Sequence, residues 1–126
     1  GISSAPDFLE ELMWKKFSNK IKRTIIKKKI YNFKHFGFNY PITKQLIFDG
    51  KKNKVLNNKI NLNIPITLFC GLKDKVVPSK FSRKILKICK KSNKKLIKIK
   101  NGDHSLSRKS DLKKICYELN FMIRSI

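Results

Sequence analysis

The stretch Pro65-Ile66-Thr67-Leu68-Phe69-Cys70-Gly71 is a short apolar run bounded by Pro and Gly, which reads as a strand buried on both faces, as in a parallel sheet. Beyond it, Phe81, Ile85, Ile88 and Cys89 recur at helical spacing. Leu96-Ile97-Lys98-Ile99-Lys100 then alternates, predicting a strand with one wetter face whose lysines suit a sheet edge. Leu112, Ile115, Cys116, Leu119 and Ile123 mark a last amphipathic helix. Strand, helix, strand, helix at this spacing gives a βαβα order, hence the α/β class, parallel pairing and a right-handed crossover. Two strands are too few, because a parallel sheet needs cover on both faces. Gly1-Ile2-Ser3 offers at most one more strand end. The expectation is the C-terminal part of a larger α/β protein.

Upstream of Pro65 the texture is different. Phe8, Leu9, Leu12, Met13 and Phe17 make one apolar stripe, with Asp7, Glu10 and Glu11 at the end where the helix dipole favours negative charge; the spacing predicts a helix over 7–17. A second helix is predicted over 21–29, with Ile21, Ile25 and Ile26 on one side. Tyr31, Phe33, Phe36, Phe38 and Tyr40 read as an aromatic-rich irregular connection broken by Gly37 and stopped by Pro41. Residues 42–51 look helical again, with Ile42, Leu46 and Ile47 inward and Gly50 near the C-terminal end.

The chain has 126 residues, with 31 Lys plus Arg against 8 Asp plus Glu and a net charge of +23. That length supports one modest core. Nine Phe and a hydrophobic fraction of 40% exclude a disordered polyelectrolyte. Such a charge suggests nucleic acid, but phosphate binding needs clustered cations, preferably Arg. Only Arg23, Arg83, Arg108 and Arg124 are Arg, and the lysines are spread along the chain. A solvated Lys surface is the reading preferred to a basic nucleic-acid-binding domain. No apolar run approaches the roughly 18 to 20 residues of a membrane span. Cys70, Cys89 and Cys116 are an odd number, far apart and inside apolar segments, as expected of reduced core thiols in a cytoplasmic protein. No cofactor or metal is expected.

Chemistry in parallel α/β sheets collects beyond the carboxyl ends of the strands. The first such loop is Gly71-Leu72-Lys73-Asp74-Lys75-Val76-Val77-Pro78, and the second is Asn101-Gly102-Asp103-His104-Ser105-Leu106-Ser107. A carboxylate and an imidazole at the tops of adjacent strands can meet. The carboxylate then fixes the ring's tautomer and stabilises the imidazolium, leaving the other nitrogen to take a proton from a nucleophile. Asp103 is the rival carboxylate; beside His104 in sequence, it is expected to organise the loop instead. His35 lies in the aromatic connection, and Cys70 sits inside the strand, unsuited to nucleophilic work.

The pattern Gly-x-x-Asp-x-x-Val-Pro, followed 30 residues later by Gly-Asp-His before a terminal helix, resembles the last third of a serine α/β-hydrolase. More narrowly, Gly1-Ile2-Ser3-Ser4-Ala5-Pro6-Asp7-Phe8, Leu12-Met13-Trp14, Tyr40-Pro41-Ile42-Thr43, Asp49-Gly50 and 101–107 resemble the branch of bacterial and mitochondrial palmitoyl-protein thioesterases and acyl-glucuronide esterases. The resemblance spans essentially the whole chain. It implies a Ser, Asp, His triad with Asp74 and His104 as the second and third members. It also implies residues 1–6 as a strand end and loop, 7–60 as a helical lid and connection, and 61–126 as the last two βα units. Such enzymes carry the nucleophile in a Gly-x-Ser-x-Gly elbow, and no such pentapeptide occurs in this sequence. Ser3 and Ser4 are read as loop residues, the elbow is expected upstream of Gly1, and the chain alone is expected to be inactive.

The function so implied is hydrolysis of carboxylic esters or thioesters, with a small acyl ester or an acylated protein as substrate and no specific nucleic acid partner. Met13, Trp14 and Phe17, with the aromatics that follow, either line an acyl pocket or pack the lid, and both readings stand at this point. A hydrolase-like module without catalysis is the remaining alternative.

Overall fold

Residues 1–35 and 37–124 are described by the computed structural model; of the aromatic connection, Phe36 lies outside them. The chain divides into two units, one of Gly1–Pro6 with Leu56–Ile126 and one of Asp7–Val55.

In the Asp7–Val55 unit, the predicted first helix closes by unequal turns, a π-helical segment over Leu9–Met13 and a 3₁₀ turn over Trp14–Lys16. The apolar stripe is real, since Leu12 and Phe17 are both buried. Ser18 then accepts from the Ile21 N–H at 3.3 Å and caps α1 (Asn19–Lys28), satisfying one of the donors a helix start leaves open. Ile25 is fully buried, whereas Ile26, expected beside it, is exposed.

The aromatic connection is not irregular. It is an antiparallel hairpin of β1 (Ile30–His35) and β2 (Phe38–Thr43), with Tyr31 opposite Ile42 and Phe33 opposite Tyr40. Alternation explains it: Tyr31 and Phe33 are half-buried while Ile30, Asn32 and Lys34 are exposed. Gly37 turns with φ +78°, and Pro41 is tolerated because each strand of a two-stranded sheet is an edge. Thr43 next caps α2 (Lys44–Lys52), accepting from the Leu46 N–H at 3.0 Å. The core is Phe17, Ile25, Ile42 and Ile47, with Met13, Trp14, Ile21, Tyr31 and Phe33 packed against it. Ile42 reaches that core from β2 rather than from a helix, and Leu46 faces outward.

In the other unit the parallel β-α-β arrangement is as read. β3 (Ile66–Gly71) pairs in parallel with β4 (Lys94–Ile99), Phe69 opposite Ile97 and Gly71 opposite Ile99. The other edge of β3 receives Gly1–Ser3: the Gly1 nitrogen donates to the Thr67 carbonyl, the Phe69 N–H to the Gly1 carbonyl, and the Ser3 N–H to the Phe69 carbonyl. β3 is therefore central, which is why Leu68, Phe69 and Cys70 are all buried. α3 (Lys80–Ile88) packs on β3 and β4 through Phe81. Its last carbonyls are closed by Lys94, whose Nζ donates to Leu86 and Cys89 at 3.1 and 2.8 Å.

α4 (Lys109–Arg124) departs from the predicted face. Ile115 packs against the cluster of Phe69, Ile97, Ile99 and Leu106. Leu112, Leu119 and Ile123 are exposed, and so is Cys116, expected in the core. The buried positions of the helix are instead Asp111, held by two bonds from the Arg108 guanidinium at 2.8 and 2.9 Å, and Glu118, paired with Lys95 Nζ at 2.6 Å. Buried charges persist where they are paired.

Candidate active site

The loop after β3 turns back on itself through one carboxylate oxygen. Asp74 Oδ1 accepts from the Val76 and Val77 N–H groups, both at 2.8 Å, an Asx-type turn that this short side chain makes readily. Val77 is buried beneath that turn. The second oxygen, Oδ2, is thereby aimed away from its own loop. It stands 3.0 Å from Nδ1 of His104, in the loop after β4.

Two glycines let the loops come this close. A Cβ on Gly71 would overlap the carbonyl oxygens of Gly102 and Asp103, and one on Gly102 would press on Leu106, Ile99 and the Gly71 backbone. Across that contact the Lys73 N–H donates to the Gly102 carbonyl and the Leu72 N–H to the Ile99 carbonyl, each at 2.9 Å. The His104 loop is closed from its other side by Asp103, whose Oδ1 accepts from the Leu106 N–H at 3.0 Å. Asp103 therefore organises the loop, as expected. Leu106 is fully buried at φ +47° and anchors it.

The electrostatics of the pair are asymmetric. The Asp74 side chain is 1% exposed and that of His104 is 44% exposed. Burial alone would raise the Asp74 carboxyl, but the N–H of Val77, the His104 ring and the N–H of Val76 outweigh it and hold the group below its ordinary value. Asp74 is thus kept as a carboxylate with one oxygen committed to the ring. With Nδ1 turned to that oxygen, Nε2 is the nitrogen left for proton transfer.

The residues expected to contact an acyl group belong to the Asp7–Val55 unit. Met13 and Trp14 are half-buried against the core of the Asp7–Val55 unit, and Phe17 belongs to that core, 5.6 Å from the Phe33 ring. Trp14 also carries the ammonium groups of Lys22 and Lys51 over its ring. His35 stacks on Phe33 at 5.7 Å. Cys70 is buried inside β3, where burial pushes its thiol up, the reverse of what a nucleophilic cysteine needs. Among the described residues no group of three or more His, Cys, Asp or Glu is placed to hold a metal ion, and no helix is long and apolar enough to cross a membrane.

One contact of the site has no signal in the sequence. The Ser3 hydroxyl donates to the backbone carbonyl of His104 at 2.8 Å, across 101 residues of chain. Only the pairing of Gly1–Ser3 with β3 brings the two together.

Solved structures share the fold of this chain. The chain superposes on a protein described as a hydrolase from Agrobacterium vitis S4 with a TM-score of 0.89, at 23% identity over 97% of this chain and 48% of that one. It superposes on mouse α/β-hydrolase domain-containing protein 10 with a TM-score of 0.84, at 21% identity over 99% of this chain and 51% of that one. No family model and no curated protein matches the sequence. The chain therefore has the α/β-hydrolase fold and spans about half the length of the structures it matches.

Proposed function

We propose that this chain is the Asp- and His-bearing part of a serine hydrolase that cleaves carboxylic esters or thioesters, with its nucleophile supplied by a segment preceding Gly1. The observation that carries the reading is the 3.0 Å contact between Asp74 Oδ2 and His104 Nδ1, made by loops at the carboxyl ends of two adjacent parallel strands. In an α/β-hydrolase fold that position is where the last two triad members stand.

In the reaction so proposed, Nε2 of His104 takes the proton of the serine hydroxyl as its oxygen bonds to the acyl carbon. The imidazolium, stabilised by Asp74, returns that proton to the departing alcohol or thiol as the acyl–oxygen or acyl–sulfur bond breaks. Water then repeats the sequence on the acyl-enzyme and restores the serine. Residues 7–60, which include the Asp7–Val55 unit, are proposed as the lid and its connection. Met13, Trp14 and Phe17 are its acyl-contacting set, with Phe17 serving mainly to prop the other two, since it is itself core. The narrower assignment, an acyl-protein thioesterase or acyl-glucuronide esterase, rests on the resemblance of 1–8, 12–14, 40–43 and 101–107. A cytoplasmic site of action rests on the unpaired cysteines.

The test is turnover of short-chain esters and thioesters by the intact protein. By analogy with the serine-protease triad, Asp74→Asn lowers kcat by ~10⁴ with substrate binding retained, and His104→Ala does at least as much. Ordinary turnover by either variant would sink the assignment.

A further inference from the structure

We infer that Ser3 is a positioning residue for the His104 imidazole: its hydroxyl, pinned to the strand that carries Asp74, holds the His104 backbone so that the ring stays on the Asp74 carboxylate while the other nitrogen exchanges protons. The kinetic part of this inference rests on the hydrolase reading above; the geometric part does not.

His104 sits in an exposed loop, and among the described residues its ring is tied to the protein by the bond to Asp74 Oδ2. A side chain held at one point pivots unless its own backbone is fixed. On one side of it the Gly102 carbonyl is held by the Lys73 N–H, and on the other Leu106 is buried and bonded to Asp103. Between these anchors the His104 carbonyl receives the Ser3 hydroxyl at 2.8 Å. Ser3 is itself fixed, because its N–H donates to the Phe69 carbonyl at 2.9 Å. Phe69 lies two residues before Gly71, where the Asp74 loop begins. The two halves of the Asp–His pair are thus referenced to one strand, one directly and one through Ser3.

The backbone of Ser3 supports a role beyond loop-filling. It adopts φ +44°, a region that residues other than Gly, Asn and Asp rarely enter and that persists only where surroundings over-determine it. A chain segment that merely passed by would not need it. Here the conformation lets one residue pair with β3 through its amide and reach the His104 loop with its side chain.

The experiment uses Ser3→Ala and Ser3→Gly in the intact protein, with His104→Ala as control. Ser3→Gly removes the hydroxyl while accommodating φ +44°, so its melting temperature should not fall. Both variants should lose kcat roughly ten- to hundredfold with KM little changed, as misplacement of a proton-transfer group does. In histidine-labelled protein, the Nδ1–H resonance of His104 should broaden or vanish through solvent exchange in both variants and remain sharp in the parent. Unchanged kcat with an unchanged ring proton overturns the inference. So does a loss of kcat that tracks the melting temperature while the ring proton stays sharp, because that is a purely structural role. Should His104→Ala retain turnover, the hydrolase reading fails, yet the ring-proton arm still decides whether Ser3 holds the imidazole.

Discussion

Asp74 divides its two oxygens between two tasks, and each task has a measurable consequence. Its carboxyl lies below the ordinary value near 3.8, so its stabilising contribution is complete above that value and disappears as pH falls through the lower folded one. The stability gap between parent and Asp74→Asn should therefore be widest near about pH 5 and close toward about pH 2; denaturant titrations across that range check it, and a pH-independent gap would contradict it. Gly71 is the steric counterpart. A Cβ there meets backbone oxygens of Gly102 and Asp103, which cannot swing away as a flexible side chain does, so Gly71→Ala should lose about 1–3 kcal/mol, as overpacking does. Calorimetry measures that loss, and the same variant should lose the Asp74–His104 contact. At this scale the contact between Asp74 and His104 was legible because residue type, strand end and spacing agreed. Ser3 was not, because a hydroxyl bonded across 101 residues leaves no local pattern.

Among the elements, caps and alternation decided more than composition did. Thr43 ends one strand and caps the next helix, and Thr43→Ala should destabilise the Asp7–Val55 unit by about 1 kcal/mol. Ile47 and its neighbour Leu46 make a sharper comparison. Ile47 is 2% exposed in the core and Leu46 is 38% exposed; Ile47→Ala should cost about 2–5 kcal/mol and Leu46→Ala roughly 0.5 or less, read from thermal melts. The sequence reading put both inward, since helical spacing tolerates a stripe wider than the face actually covered. It also took the 31–40 region as irregular, although Tyr31-x-Phe33 and Phe38-x-Tyr40-x-Ile42 alternate. Dense aromatics and an internal Pro hid that period, and only pairing across Gly37 displays it.

At the scale of the whole molecule, α4 presents an exposed apolar side. Leu112, Leu119 and Ile123 are 49%, 54% and 61% exposed, beside an open cavity of about 490 Å³ lined by Ile2, Phe69 and Met122 among others. The 126-residue chain studied alone should bind a hydrophobic dye and give broad amide resonances, despite a net charge of +23 that opposes association. A sharp, dispersed spectrum from a monomer that ignores the dye would contradict this. By itself, the sequence determined the α/β class, the order of β3, α3, β4 and α4, and the two loops bearing Asp74 and His104. These depend on short-range period and on residues at strand ends, which the chain writes locally. Tertiary structure alone decided that the aromatic stretch pairs with itself, that α4 buries Asp111 and Glu118 instead of its leucines, and that Ser3 reaches His104. Each of those depends on which surfaces and polar atoms meet, and partners far apart in the chain are chosen only when the backbone brings them within hydrogen-bonding reach.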